Sequence, residues 1–413
     1  MTLNPPPIKN PFRPGAGHMP PYLAGRKAET NEFVKLLQQD IILDNMILTG
    51  LRGVGKTVLL ETFKPLAMQE HWVWVGTDIS ETATVNEQNF AVRILTDLAV
   101  LFSSYVVSTS TINKLGFTTA SEREKTTLNY DTLLAVFNGT PGLVSDKLKY
   151  TLRFIWECLD GLVKGIVFAY DEAQNLSDQE GKDQYPLSML LDVFQSIQRS
   201  DIPFMLVLTG LPTLFPKLVE ARTYAERMFH VVFLDRLEPR DSRDAILKPI
   251  EDMGSPISLN EDSVEKVIAI SGGYPYFIQF ICREMFDALI QRAGEGLALE
   301  VPVEDIVRKL DNDFFAGRWS KATDRQRELF SLVVQLKSAD AEFTVQEIVD
   351  QSRKSRRKPF SNSHVHQMLT ALANAGLVYK NRHGRYSFAV PLLADFIRRQ
   401  ADKTPTLSLE SRS

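Results

Sequence analysis

Cysteine is nearly absent: the chain of 413 residues holds only Cys158 and Cys282, each in an apolar stretch and far from the other. That excludes a disulfide framework and a cysteine-based metal site, and it points to a reducing, cytoplasmic compartment. The N-terminus has Pro and Gly but no apolar segment behind it, so no signal peptide is expected. No apolar run approaches the ~18 residues of a membrane span. A soluble, intracellular protein is the expectation. There is no internal repeat, and no nuclease, protease or other effector motif, so any such activity would have to come from a separate protein.

The hydrophobic content of 44% and charged content of 24% are ordinary for a globular chain. The length exceeds what one hydrophobic core serves, so two or three folding units are expected. Charge is unevenly placed. The net charge is −4, yet Arg318–Lys403 contains 16 Lys/Arg and 8 Asp/Glu, a net of +8 that leaves −12 on the rest. An acidic body with a basic C-terminal module suits contact between that module and a polyanion; the alternative is an uneven but merely solvated surface.

Seven prolines between Pro5 and Pro21 forbid regular structure there. Residues 1–21 read as an extended arm that lies along the body or hangs free. Residues 22–236 alternate helical and strand patterns. Helices are expected over Ala28–Gln39, Thr57–Met68, Phe90–Val107, Lys147–Val163 and Leu187–Arg199. Strands are expected over Ile41–Thr49, Trp72–Asp78, Gly165–Tyr170, Phe204–Thr209 and Val231–Leu234, with the Ser/Thr-rich Ser108–Tyr130 as a loop or small insertion. The alternation predicts a doubly wound parallel sheet. From Asp241 to about Leu310 strand signals vanish, leaving helices such as Asp262–Ile270 and Phe277–Arg292, so 237–317 is expected to be an all-α lid. Residues 318–403 predict three helices (Asp324–Leu336, Thr344–Arg353 capped by Thr344, Ser361–Ala375 capped by Ser361 or Ser363). Gly376 then closes the third, and Leu377–Lys380 and Arg385–Val390 form a hairpin. That is the order of a winged helix. Residues 404–413 read as a disordered tail. The fold class expected is α/β: a P-loop doubly wound parallel sheet with an all-α lid and a C-terminal winged-helix domain.

Two motifs carry chemistry. Gly50-Leu-Arg-Gly-Val-Gly55-Lys56-Thr57 matches a P-loop and sits between an expected strand and an expected helix. Gly50, Gly53 and Gly55 let the backbone curl so that its N–H groups converge on phosphate oxygens, and the following helix adds its positive dipole end. Lys56 is expected on the β- and γ-phosphates of ATP, and the Thr57 hydroxyl on Mg²⁺. Gly165-Ile-Val-Phe-Ala-Tyr-Asp171-Glu172 supplies the partner: Asp171 to hold Mg²⁺ through water, Glu172 as general base for the attacking water.

With Tyr22-Leu-Ala-Gly25-Arg26-Lys-Ala-Glu29 ahead of them, these motifs resemble AAA+ ATPases of the origin-recognition-initiator and STAND clans. The resemblance runs from about Tyr22 to Arg399. It implies that Arg26 helps wall the adenine pocket. Phe204–Gly210 is similar to the family's sensor-1 strand, which implies Thr209 near the γ-phosphate. Ser271-Gly-Gly-Tyr-Pro275-Tyr276 resembles the Gly-x-Pro element of the lid over the base. Pro275 stands where initiators place a sensor-2 arginine, which tilts the expectation toward a STAND-like switch. The resemblance also implies a homo-oligomer with an arginine finger, for which Arg227 is the first choice and Arg222 the next.

A basic loop, Arg353-Lys-Ser-Arg-Arg-Lys358, precedes the third helix of the C-terminal module. Asn362, His364, His366 and Gln367 on that helix, with Lys380, Arg382 and Arg385 at the wing, are residue types that suit base edges and phosphates. His364 and His366 have no Cys or acidic partner at metal spacing and read as polar surface. Two functions follow as expectations. One is an ATP-dependent switch that meets duplex DNA through its winged helix; the other is a partner-sensing ATPase that controls a separate effector without touching DNA.

Overall fold

The computed structural model describes residues 8–15, 17–39, 41–104, 106–112, 122–159, 161–355, 358–382 and 384–403. The expected tail 404–413 and the basic-loop residues Arg356 and Arg357 fall outside them. The chain forms two compact units. An α/β unit comprises Arg26–Gly50 and Lys56–Phe233; a helical unit comprises Met1–Gly25, Leu51–Gly55 and Leu234–Ser413.

In the α/β unit the order is α1 (Lys27–Leu37), β1 (Asn45–Thr49), α2 (Lys56–Gln69), β2 (Trp72–Asp78), α3 (Glu87–Phe102), β3 (Val106–Ile112), β4 (Glu122–Thr127), α4 (Tyr130–Gly139), α5 (Val144–Cys158), β5 (Gly165–Asp171), α6 (Pro186–Gln198), β6 (Phe204–Gly210), α7 (Leu214–Ala221) and β7 (Phe229–Phe233). Five strands form an all-parallel sheet in the order β2-β5-β6-β1-β7. Every residue of β1, β5 and β6 is buried, as helices covering both faces of a parallel sheet require. Helix α1 buries the expected Phe33, Leu36 and Leu37, and Phe33 stacks on Phe63 of α2 at 4.2 Å. Fully burying such a side chain contributes roughly 1.5–3 kcal/mol. β1 is pinned by Asn45, whose buried amide accepts from the Leu206 and Gln198 nitrogens and donates to the Met228 carbonyl.

Two expectations change here, and the choice between loop and insertion for Ser108–Tyr130 is decided. The first strand begins at Asn45, not Ile41: Ile41 and Leu43 are exposed, so no sheet face buries that end. The helix expected to reach Val107 stops at Phe102, where a run alternating β-branched residues with serines passes into β3. The Ser/Thr-rich stretch is no simple loop. β3 and β4 pair antiparallel within it, and α4 follows, its N-cap Asn129 accepting from Thr132 N at 2.9 Å.

The helical unit continues with α8 (Pro239–Asp252), α9 (Glu261–Ser271), α10 (Pro275–Gly294) and α11 (Val303–Leu310). α11 runs through a π-helix (Asp311–Ala316) into α12 (Gly317–Trp319). Then come α13 (Asp324–Val333), β8 (Phe343–Thr344), α14 (Val345–Ser355), α15 (Asn362–Asn374), β9 (Val378–Arg382), β10 (Arg385–Phe388) and α16 (Leu393–Lys403). Caps explain several starts: Thr344 Oγ1 accepts from Glu347 N, and Ser361 Oγ from His364 N. Of the two serines proposed for the latter cap, Ser361 performs it. Gly376 has φ +71° as expected, and β8, β10 and β9 form a three-stranded sheet in that order. Helix α16, with Leu393, Phe396 and Ile397 buried, closes the module. The order of helices and hairpin is the one expected of a winged helix.

The arm is docked where it is described. Phe12 is buried edge-on against Phe286 of α10, and Asn10 donates to the Arg283 carbonyl and Asp287. The π-helix joins the lid helices to the C-terminal module: Phe315 stacks on Phe396 of α16 at 5.1 Å, and buried Asp311 accepts from Arg399 Nε at 3.1 Å. Among the described residues no helix is long and apolar enough to cross a membrane.

Candidate functional site

The carboxyl ends of β5 and β6 lie side by side, because Tyr170 pairs with Leu208. β1 follows, with Leu48 opposite Thr209 and Thr49 opposite Gly210. Motif residues far apart in sequence therefore meet at one sheet edge. Asp171, 4% exposed, accepts from the hydroxyls of Thr57 and Thr209 and from Glu172 N at 2.7 Å. Lys56 is buried and donates from Nζ to the Gly50 carbonyl at 2.9 Å. Hard oxygen donors brought together by Thr57 and Asp171 fit a Mg²⁺ ion.

In the loop between β1 and α2, Gly53 and Gly55 have φ of +82° and +90°, the left-handed region that side chains resist. Gly53 has a second constraint. A β-carbon there would lie 3.1 Å from Cβ of Tyr276, whose backbone N–H donates to the Gly53 carbonyl at 3.1 Å. The loop thereby lies on the first turn of α10, where half-buried Pro275 occupies the N1 position.

Glu172 is exposed and has φ +51°, a left-handed backbone unusual for a residue with a side chain. That turn separates its carboxylate from the buried one of Asp171. Gln174, which the sequence did not single out, donates to the Glu172 carboxylate and accepts from Leu211 N at 3.1 Å. Gly210 permits this approach, since a β-carbon there would meet Gln174 Oε1 at 2.8 Å. Lys217 Nζ donates to the Gln174 carbonyl at 2.8 Å. Burial pulls the Lys217 ammonium below its ordinary pKa, against the opposing charges of Asp178 and Glu220. No motif marks Gln174 or Lys217; Gln174 lies in the turn just after β5, and Lys217 reaches it from α7.

Arg26 is buried at the N-cap of α1 and pairs with Glu29 at 3.1 Å. Arg222 is held by both oxygens of Asp192, at 2.9 and 2.8 Å, with the Tyr224 hydroxyl on the same carboxylate. Desolvation pushes Asp192 up, but the hydrogen bonds from Arg222 and Tyr224 outweigh it and leave the carboxyl below its usual range. Arg222 is thus committed within its own unit. Arg227 ends a short 3₁₀ turn, is exposed, and has no ion pair among the described residues.

In the C-terminal module, α15 buries Val365, Met368, Leu369 and Leu372 and leaves Asn362, His364, His366 and Gln367 exposed. Arg353 pairs with Asp350 and Arg385 with Glu342. Lys354, Lys358 and Lys380 are exposed, with no ion pair among the described residues. No group of three metal-ligating side chains occurs among those residues.

A family model described as a domain of unknown function (DUF8462) matches residues 312–397, from the π-helix into α16. No curated protein matches the sequence. Solved structures do. A Walker-type ATPase of Pyrococcus abyssi is 14% identical, with a TM-score of 0.55 over 91% of this chain and 96% of its own. The Aeropyrum pernix ORC2 protein in its ADP form is 13% identical, with a TM-score of 0.53 over 94% and 97%. The same protein in its ADPNP–ADP complexes gives 13% and 0.51 over 94% and 98%. The chain shares the fold of these archaeal proteins over nearly its whole length.

Proposed function

We propose that the protein is an ATP-binding, ATP-hydrolysing switch whose winged helix meets duplex DNA. The observation that carries the nucleotide reading is the convergence of Thr57 and Thr209 on the buried Asp171 carboxylate, next to a loop with P-loop spacing. Likeness in fold to a Walker-type ATPase and to a protein solved with ADP supports it. Lys56 and the loop N–H groups hold the phosphates, and Arg26 borders the base. Thr57 and Asp171 would hold Mg²⁺, which would neutralise phosphate charge when nucleotide is bound. Thr209 orients Asp171 through its hydrogen bond, which occupies the hydroxyl proton that the expected γ-phosphate contact would need. Glu172, positioned by Gln174, accepts the proton of the attacking water. Turnover by purified protein, measured as phosphate release with MgATP, tests this reading; a chain that binds ATP without releasing phosphate is a switch without hydrolysis.

Arg227 is proposed to act on the nucleotide of a second copy, since it is exposed and uncommitted. Sizing chromatography with ATP and with ADP tests this: a larger species is expected with ATP. Arg227→Ala should lower turnover in that species and leave nucleotide affinity unchanged. Equal turnover would move the finger elsewhere.

The DNA reading rests on the C-terminal excess of positive charge and on the polar outer face of α15. Replacing Arg353, Lys354, Arg356, Arg357 and Lys358 with Ser or Gln is expected to weaken duplex binding. Each lost phosphate contact should flatten the log–log salt slope by about 0.9. Gel-shift titrations at two salt concentrations compare variant with wild type, and ATP affinity should be unchanged. Equal binding, or no binding by the wild type, favours the partner-sensing reading, in which the winged helix contacts a protein.

A further inference from the structure

Arg52 and Arg318 are two cations that the nucleotide motifs do not use. Arg52 is the exposed third residue of the P-loop pattern, and Arg318 lies on α12, directly after the π-helix. Arg318 is half-buried and held from two sides. Its guanidinium stacks 4.2 Å from the Phe314 ring centroid and donates to the Phe314 carbonyl. The Phe314 ring in turn packs 5.4 Å from that of Tyr276, the residue whose N–H binds the Gly53 carbonyl. Arg318 is thereby fixed beside the loop. Burial, and then the like charge of Arg52, hold it below the ordinary arginine value, with Tyr276 opposing. Among the described residues neither arginine forms an ion pair, and Asp313, on the same helix, pairs with neither. A fixed, partly desolvated guanidinium next to another cation is unfavourable until an anion joins them.

We propose that Arg52 and Arg318 form a clamp for the terminal phosphate of a nucleoside triphosphate seated on the loop. The clamp would give this fold a triphosphate-sensing arginine from the π-helix segment, since Pro275 occupies the position where one was expected from the lid. It rests on the nucleotide reading above. Two charges without a carboxylate partner favour the more highly charged ligand, so triphosphate is preferred over diphosphate. The same continuous helix carries Asp311 and Phe315, the residues that grip α16, so the state of the phosphate is felt where the C-terminal module is attached.

The test is isothermal titration calorimetry of the full chain with MgATP and MgADP, using wild type, Arg318→Gln, Arg318→Lys and Arg52→Gln. Wild type is expected to prefer ATP. Arg318→Gln should lose about tenfold in ATP affinity, one charge-assisted contact, with a smaller loss for ADP. Arg52→Gln should shift the same ratio, and Arg318→Lys should keep most of it. Since Arg52 is exposed, its variant carries the test if Arg318→Gln does not fold. An ATP:ADP ratio unchanged in Arg318→Gln and Arg52→Gln would overturn the clamp and leave the P-loop reading standing. Equal losses for both nucleotides with a lowered melting temperature would also overturn it, assigning Arg318 to packing on Phe314. A wild type that binds neither nucleotide would remove the P-loop reading and the clamp with it.

Discussion

Lys56→Ala is expected to abolish tight ATP binding while leaving the chain folded. Lys56 is the buried cation of the P-loop pattern, and its ammonium is already tethered to the Gly50 carbonyl. Little reorganisation is therefore needed for it to meet phosphate. Hydrogen bonds to a charged partner contribute roughly 1.5–3 kcal/mol each, and contact with two phosphates makes the loss at least about a hundredfold in affinity. Alanine is compatible with the first turn of α2, and the freed Gly50 carbonyl is the main structural cost. Equilibrium binding of a fluorescent ATP analogue, with circular dichroism as a folding control, gives the result. Unchanged affinity in a folded variant would refute the P-loop assignment.

Glu172→Gln should separate binding from chemistry. Glutamine keeps the length of the side chain and an oxygen to accept from Gln174, and it carries the same left-handed backbone cost. Asp171, with its bonds from Thr57 and Thr209, is untouched, so nucleotide affinity should stay near wild type. Loss of a general base typically costs on the order of 10²–10⁴ in rate. Single-turnover phosphate release by wild type and variant measures it. A variant that turns over at the wild-type rate would place the base at another residue.

The P-loop was legible because its chemistry is local: spacing, glycine content and flanking patterns occupy one short stretch. The strand leading to Asp171 was legible for a related reason, since a sheet covered on both faces demands an uninterrupted apolar run. The β3–β4 hairpin was not. Serine and threonine serve turns and strands alike, and pairing between two such segments is not encoded in either one. Gln174 and Arg318 carry no motif, and the Gly-x-Pro element does not reveal that Tyr276 binds the Gly53 carbonyl; Tyr276 and Arg318 meet the loop only through elements that follow much later.

By itself the sequence determined the α/β class, the strand–loop–helix that presents Lys56 and Thr57, the acidic strand end at Asp171 and Glu172, and the concentration of positive charge after Arg318. These follow from periodicity, glycine conformation and composition, which are properties of contiguous residues. Only the tertiary structure decided which groups share a hydrogen bond. It placed Thr209 on Asp171, set Gln174 between Glu172 and Leu211, committed Arg222 to Asp192, and tied Arg318 through Phe314 and Tyr276 to the loop. The physical reason is that such contacts depend on the order in which parallel strands assemble and on how helices pack, and both are set by burial of the whole core.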